Sequence, residues 1–139
     1  MRLRYREIGT TEVDMDFLYN LLINRDPSIN ISHKKMPSFE KHCEFWKSKP
    51  YPQAEMILNP DVKVPIGYWY VTDRLEVGIF LHSLYQGRGL GHQVLKHIKR
   101  LNHRRRLVAN INPSNCRSIN LFQLNGFHHI QNTYALEGK

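Results

Sequence analysis

Between Glu76 and Glu137 the chain has no aspartate or glutamate. The same stretch carries Arg88, Lys96, Lys99, Arg100, Arg104, Arg105, Arg106 and Arg117, so the net charge of +8 is concentrated in the second half. That absence excludes an acidic groove for basic peptides there and favours an anionic partner, although a nucleic-acid surface would leave the same imprint. Cysteine is nearly missing: Cys43 and Cys116 are too few and too separate for a disulfide framework or a metal cluster, and both are expected to be free thiols. The histidines show no metal-ligand spacing, so no metal is expected. No apolar run is long enough to span a membrane, and Arg2-Leu3-Arg4-Tyr5-Arg6-Glu7 is a charged alternation with no apolar h-region after it, so no signal peptide is expected. A cytoplasmic protein without membrane partners is the expectation. No repeat, low-complexity tract or linker divides the 139 residues, which predicts a single domain over 1–139.

What is present alternates between strand and helix periodicities. Residues 2–8 read as a strand, Glu12 to Asn24 as a helix, and Ser38 to about Ser48 as a second helix with Phe39, Cys43 and Trp46 inward. Lys49-Pro50-Tyr51-Pro52 ends that helix. Ala54–Leu58, Val64–Val71 and Leu75–Leu81 read as strands two to four. A helix follows, with Leu90, Val94, Leu95, Ile98 and Leu101 at helical spacing, then a fifth strand over Arg106–Ile111. Asn115–Asn125 reads as a helix capped by Ser114 or Asn115 and stopped by Gly126, before closing strands at Phe127–Ile130 and Thr133–Leu136.

The stretch from Leu81 to His92 joins the fourth strand to the third helix through Gly87, Gly89 and Gly91. A strand, a glycine turn and a helix start leave backbone N–H groups and the positive end of the helix dipole aimed at one place, which suits a phosphate. The dinucleotide fingerprint G-x-G-x-x-G fails, because the third glycine is one position early and no acid follows for the ribose. A Walker loop fails for lack of Gly-Lys before Ser or Thr. A glycine-rich turn without a ligand is the plain alternative.

The order Gln86-x-x-Gly89-x-Gly91 resembles the acetyl-CoA pyrophosphate loop of the GNAT N-acetyltransferases. Asn115-Cys-Arg-Ser118-Ile119-Asn-Leu121-Phe122-Gln-Leu-Asn-Gly126-Phe127 is similar to that family's second signature, Asn-x-x-Ala-Ile-x-Leu-Tyr-x-x-x-Gly-Phe. The element order also resembles the family's. The resemblance implies an α/β (α+β) GNAT fold: a mixed, mostly antiparallel sheet splayed between strands four and five, flanked by about four helices. It implies acetyl-CoA as donor substrate, held by backbone amides of Gly87, Arg88, Gly89, Leu90, Gly91 and His92, with Gln86 and Arg88 beside the diphosphate. Leu81 and Ser83 would align pantetheine through main-chain bonds, an amide near Leu81 would face the oxyanion, and Asn115, Ser118 and Phe122 would meet the donor from the other side.

In many relatives a glutamate on strand four deprotonates the amine through water. Glu76 is the acid on that strand here, and His82 is the other candidate base, nearer the splay and of suitable intrinsic pKa. Phe122 stands where the family commonly has a tyrosine that protonates the leaving thiolate, so Tyr134, Cys116, Ser118, water or an unprotonated thiolate must replace it.

For the acceptor, Arg25-Asp26, Ser32-His33 and Ser38-x-x-x-His42-x-x-Phe45-Trp46 resemble a branch that acetylates amino groups on nucleotide-linked sugars. Arg25, His42 and Trp46 are the candidate acceptor contacts, with His33, Lys34 and Lys35 as further phosphate partners. A helix whose aromatics are only core is the alternative. A small-molecule amine is thus the expected partner, for a monomer or homodimer. Protein or peptide amines are the second reading within enzymes. A nucleic-acid module would need stacked aromatics on one exposed face, whereas Tyr68, Trp69 and Tyr70 are consecutive and alternate between faces.

Overall fold

A computed structural model describes residues 1–25 and 36–138. Its elements are β1 (Arg4–Arg6), α1 (Glu12–Ile23), α2 (Phe39–Lys47), β2 (Gln53–Leu58), β3 (Pro65–Val71), β4 (Val77–Leu81), α3 (Leu90–Leu101) and α4 (Cys116–Leu124). The strands form one antiparallel sheet in the order β1-β2-β3-β4.

Strand alternation sorts side chains onto two faces. On one face Ile57, Trp69, Val71 and Val77 pack against Leu90, Val94, Leu95 and Ile98 of α3 and Phe122 of α4. On the other, Met56, Leu58 and Tyr68 pack against Met15 and Leu18 of α1 and Trp46 of α2. Helices on both faces leave each sheet surface covered, with a separate core on either side.

Polar ties hold the helices in register with the sheet. Thr11 caps α1 by accepting from the Asp14 amide at 3.3 Å, and Ser38 caps α2 by accepting from the Lys41 amide at 3.2 Å. Asn102, buried at the end of α3, exchanges amide hydrogen bonds with Gln53 at 2.8 and 2.9 Å. Tyr5 of β1 stacks on His97 of α3 with ring centres 3.8 Å apart, and His97 Nε2 lies 2.7 Å from Glu55.

Four features depart from the sequence expectations. The first strand is shorter, three residues instead of seven. Residues 106–111 form no ladder strand but a single parallel bridge, Glu76 with Val108. Residues 127–138 form no strand, and from His128 onward every described residue is exposed. Leu101 and Phe39, expected inward, are exposed, because each lies one helical step beyond the buried stripe of its helix.

Asp14 is buried at the start of α1, where Arg6 reaches it through two hydrogen bonds of 2.6 and 2.8 Å and the Gly9 amide adds a third at 2.8 Å. The Arg6 hydrogen bond holds the carboxyl below its ordinary value of 3.8. The stabilisation is therefore present above that pH and lost as pH falls through the depressed folded value. Asp14→Asn is expected to lower the unfolding free energy at neutral pH by about 1–3 kcal/mol, measured by urea denaturation. The gap to the native chain should narrow below pH 4 or so, and a gap independent of pH would show that the pair owes nothing to charge.

Candidate active site

Hydrogen bonding decides which backbone groups of β4 are free. The Thr72 amide donates to Glu76 O at 2.9 Å and the His82 amide to Ile66 O at 2.8 Å, so the even-numbered residues of β4 turn their peptide groups toward β3. Odd-numbered residues turn theirs the other way. The Val77 amide donates to Val108 O at 2.8 Å and the Val108 amide to Leu75 O at 2.9 Å. Past that bridge no backbone hydrogen bond joins residues 109–111 to β4 among the described residues, so the amides of Ile79 and Leu81 have no strand partner on that side. The Leu81 carbonyl accepts from Gln86 Nε2 at 3.0 Å, which folds the glycine turn back over the end of the strand.

The turn presents backbone and little else. Gly87 and Gly89 both have φ 75°, in the left-handed region, and a Cβ built on either would meet nothing within 4 Å. Gly89 caps α3 without a side-chain bond, so the amides of Leu90 and Gly91 open onto this space at the positive end of a twelve-residue helix. The arrangement fits a diphosphate: amide donors, helix dipole, and clearance that any side chain would reduce.

Gly91 has another reason to be glycine, since a Cβ there would lie 3.1 Å from Leu121 Cδ2, where α3 meets α4. The side chain of Leu90 is buried in the core, so only its amide can serve a ligand. His92 is occupied: its amide bonds Gly89 O at 3.2 Å and its Nδ1 lies 2.9 Å from Asn125 Nδ2. Of the loop residues named from sequence, His92 is thus a tie between helices. Ser83 is exposed and opens a short 3-10 turn, Ser83–Tyr85.

Arg88 lies over the Tyr85 ring, 5.4 Å from its centre. Arg117 donates to Gln86 Oε1 at 2.5 Å, bringing a second guanidinium from α4 to the turn. Sequence reasoning passed over Arg117 as one charge among eight; its place beside Asn115 in the second signature was the available signal. Asn115 Oδ1 accepts from the Ser118 amide at 3.2 Å and caps α4. Phe122, 6% exposed, packs edge-on against Phe127 at 4.9 Å, within the cluster that also takes in Ile79 and Leu81.

The opposite face of β4 differs in chemistry. Tyr70 lies over Gly78, where a Cβ would come within 2.2 Å of its ring, and stacks on Tyr51 with centres 4.1 Å apart. Arg25 sits 4.0 Å above the Phe80 ring. Burial pushes the Tyr51 hydroxyl up to about 12 and also raises Tyr68 and Tyr70, so all three are neutral hydrogen-bonding groups. Glu76 accepts from Asn110 Nδ2 at 2.6 Å and from Thr72 Oγ1 at 3.4 Å, which leaves carboxylate lone pairs free.

His82 Nδ1 accepts from the Leu84 amide at 3.2 Å. Its neutral ring then carries hydrogen on Nε2 and is a donor, which removes it as the base in this arrangement. The acceptor residues expected on α2 also need correction. His42 is 5% exposed, and burial pushes its pKa below the ordinary value, so it is an uncharged core residue and no phosphate partner. Trp46 is 8% exposed, edge-on to Tyr51 and Tyr68, and forms core where a substrate wall was expected. A helix over a sheet must bury one stripe, and His42 and Trp46, four apart, are that stripe. Arg25 does reach the β4 face. His33, Lys34 and Lys35 lie outside the described residues.

An open sheet split at the end of β4, with a glycine-walled anion site at the following helix, is the architecture of an acyl-CoA-dependent acyltransferase. Residues 22–127 match the acetyltransferase (GNAT) family, and the chain belongs to that family. With it comes the reaction class, transfer of an acetyl group from acetyl-CoA to an amine. No match to a curated protein is found. Among solved structures, a domain from Methanocaldococcus jannaschii is 23% identical with TM-score 0.75, covering 94% of this chain and 91% of its own. A spermidine N-acetyltransferase from Vibrio cholerae, in complex with CoA and spermine, is 17% identical with TM-score 0.74, covering 99% and 89%. A phosphinothricin acetyltransferase from Sinorhizobium meliloti, in complex with acetyl-CoA, is 21% identical with TM-score 0.70, covering 92% and 76%.

Gly89→Leu tests the turn. The space around its Cβ is open, so the fold should survive with a loss of about 1–2 kcal/mol from the left-handed backbone. Coenzyme A binding, measured by calorimetry, should weaken by more than about tenfold as the side chain fills the anion site. Unchanged affinity in a folded variant would remove the turn from the donor site.

Proposed function

We propose that this protein acetylates the primary amine of a small anionic acceptor, with an amino-sugar nucleotide as the favoured case. The observation that carries this is Arg25 over Phe80, beside the Tyr51 and Tyr70 stack, on the face of β4 that also holds Glu76. One guanidinium and several flat rings suit a phosphate joined to a base or sugar, whereas a polyamine would meet a like charge. Arg25, Tyr51, Tyr70 and Phe80 take the place that sequence reasoning gave to His42 and Trp46.

The steps divide among the residues as follows. Amides of the Gly87–Gly91 turn hold the donor diphosphate, with Gln86, Arg88 and Arg117 around it. The Ile79 and Leu81 amides take the pantetheine arm and the developing oxyanion. An alkyl ammonium with pKa near 10 must lose a proton before attack, and Glu76 receives it through water. Phe122 has no proton to return. Cys116 is exposed and Tyr134 stands free in solvent, 89% exposed, so the coenzyme A sulfur leaves as a thiolate and takes its proton from water.

Initial rates over a panel of amines should show a uridine- or thymidine-linked amino sugar turned over far faster than spermidine or lysine peptides. Arg25→Gln should raise acceptor KM by about tenfold or more and leave acetyl-CoA KM unchanged. Preference for spermidine together with indifference to Arg25→Gln would overturn the proposal. Phe122→Tyr separates two views of the leaving group: a higher kcat, seen in single-turnover acetyl transfer, shows that thiolate protonation limits the native enzyme, and an unchanged or lower kcat shows that it does not.

A further inference from the structure

We infer, on the reading of Glu76 as base, that Tyr70 is a positioning residue for the proton transfer: its hydroxyl holds the water that carries the acceptor's proton to Glu76. Val77 and Ile79 belong to the α3 side of the sheet, so Glu76, Gly78 and Phe80 share the opposite face. Residues four apart on a strand stand about 13 Å from each other, and the Gly78 position lies midway between the acid and the Phe80 ring. Gly78 has no side chain to fill it. Tyr70, its partner across β3 and β4, does so instead: a Cβ built on Gly78 would overlap the Tyr70 ring and come 2.6 Å from its hydroxyl oxygen. The phenol oxygen therefore sits where a side chain of residue 78 would begin. Tyr51 stacks on the same ring, with centres 4.1 Å apart and planes 11° from parallel. Contact with the β4 backbone and with Tyr51 leaves the ring little freedom.

The hydroxyl and the base are both fixed, and neither is sealed from water. None of the hydrogen bonds among the described residues uses the Tyr70 hydroxyl, and Tyr70 and Glu76 are each only half-buried. Glu76 cannot swing to meet an amine, since Asn110 Nδ2 donates to one carboxylate oxygen at 2.6 Å and Thr72 Oγ1 to the other at 3.4 Å. A water bridging the gap gains from a second fixed partner, and Tyr70 supplies it. In the transfer an ammonium N–H bond breaks and its proton passes to the water, while a proton of that water passes to the Glu76 carboxylate. The phenol keeps its own proton. Burial raises its pKa above the ordinary 10.0, Arg25 opposing and Glu76 adding to the shift. The charged and titratable groups facing it are Arg25 at the end of α1, Tyr51 before β2, Tyr68 in β3 and Glu76. The other two phenols stay neutral and the guanidinium stays charged around neutral pH.

Tyr70→Phe keeps the ring and removes only the hydroxyl. Steady-state rates are measured with whichever of a uridine-linked amino sugar, spermidine and a lysine peptide is turned over fastest, because the relay acts on the amine and not on what carries it. The expected result is a kcat lower by about tenfold or more, with the KM values for acceptor and acetyl-CoA unchanged. The deficit should shrink as pH rises toward about 10, where the amine arrives already neutral; a merely structural role would cost the same at every pH. Gly78→Ala should reproduce the loss by pushing the hydroxyl aside while leaving it in the chain, and Tyr70→Phe decides the matter if that variant does not fold. Glu76→Gln separates the two readings. Full kcat in Glu76→Gln overturns Glu76 as base and this inference with it. Loss of kcat in Glu76→Gln beside full kcat in Tyr70→Phe, or a Tyr70→Phe deficit independent of pH, overturns the inference alone.

Discussion

The single bridge between Glu76 and Val108 is the constraint on which the site depends. It holds residues 106–111 against the start of β4 and releases them where the amides of Ile79 and Leu81 come free. A continued ladder would consume those amides, and a missing bridge would let the segment drift and open the core beneath it. The geometry needs one contact and no more, and Glu76 strengthens it by accepting from Asn110. The residue proposed as base is therefore also a fastener of the cleft.

The sheet separates two recognition problems by chemistry. On the proposed donor side the groups on offer are main chain: left-handed glycines, a helix start and strand amides, within the acid-free stretch 77–136. Main-chain donors cannot change protonation, and the acid-free field imposes no penalty on a multiply charged anion. On the proposed acceptor side the groups on offer are side chains: one guanidinium, stacked rings with neutral hydroxyls, and one carboxylate. Arg25 also steadies the aromatic face, since it lies on Phe80 and acts on the Tyr51, Tyr68 and Tyr70 hydroxyls.

The elements most legible in sequence were those whose pattern is local. The α3 stripe of Leu90, Val94, Leu95 and Ile98 follows from helical period alone, and the donor turn follows from three glycines between a strand and a helix. The Ser38 cap was equally readable, since it needs only a side chain and an amide three residues on. The inward face of α2 was less so. Cys43 and Phe39 are as apolar as Trp46 in the sequence, and a histidine gives no sign that its ring will be buried; which of them turns inward depends on where α1 and the sheet lie.

The sequence by itself determined the family, the four helices, the first four strands and the glycine turn between β4 and α3, because each rests on residue spacing and on the backbone freedom of glycine. Only the tertiary structure decided the rest. It turned residues 106–111 from a strand into a diverging edge, since pairing depends on a neighbour 32 residues away. It engaged His82 Nδ1 with the Leu84 amide, set Arg25 on Phe80, and brought Arg117 to Gln86. Tyr51, Tyr70 and Phe80 form one surface because antiparallel register and a proline-bounded loop bring them together, and no local pattern joins them.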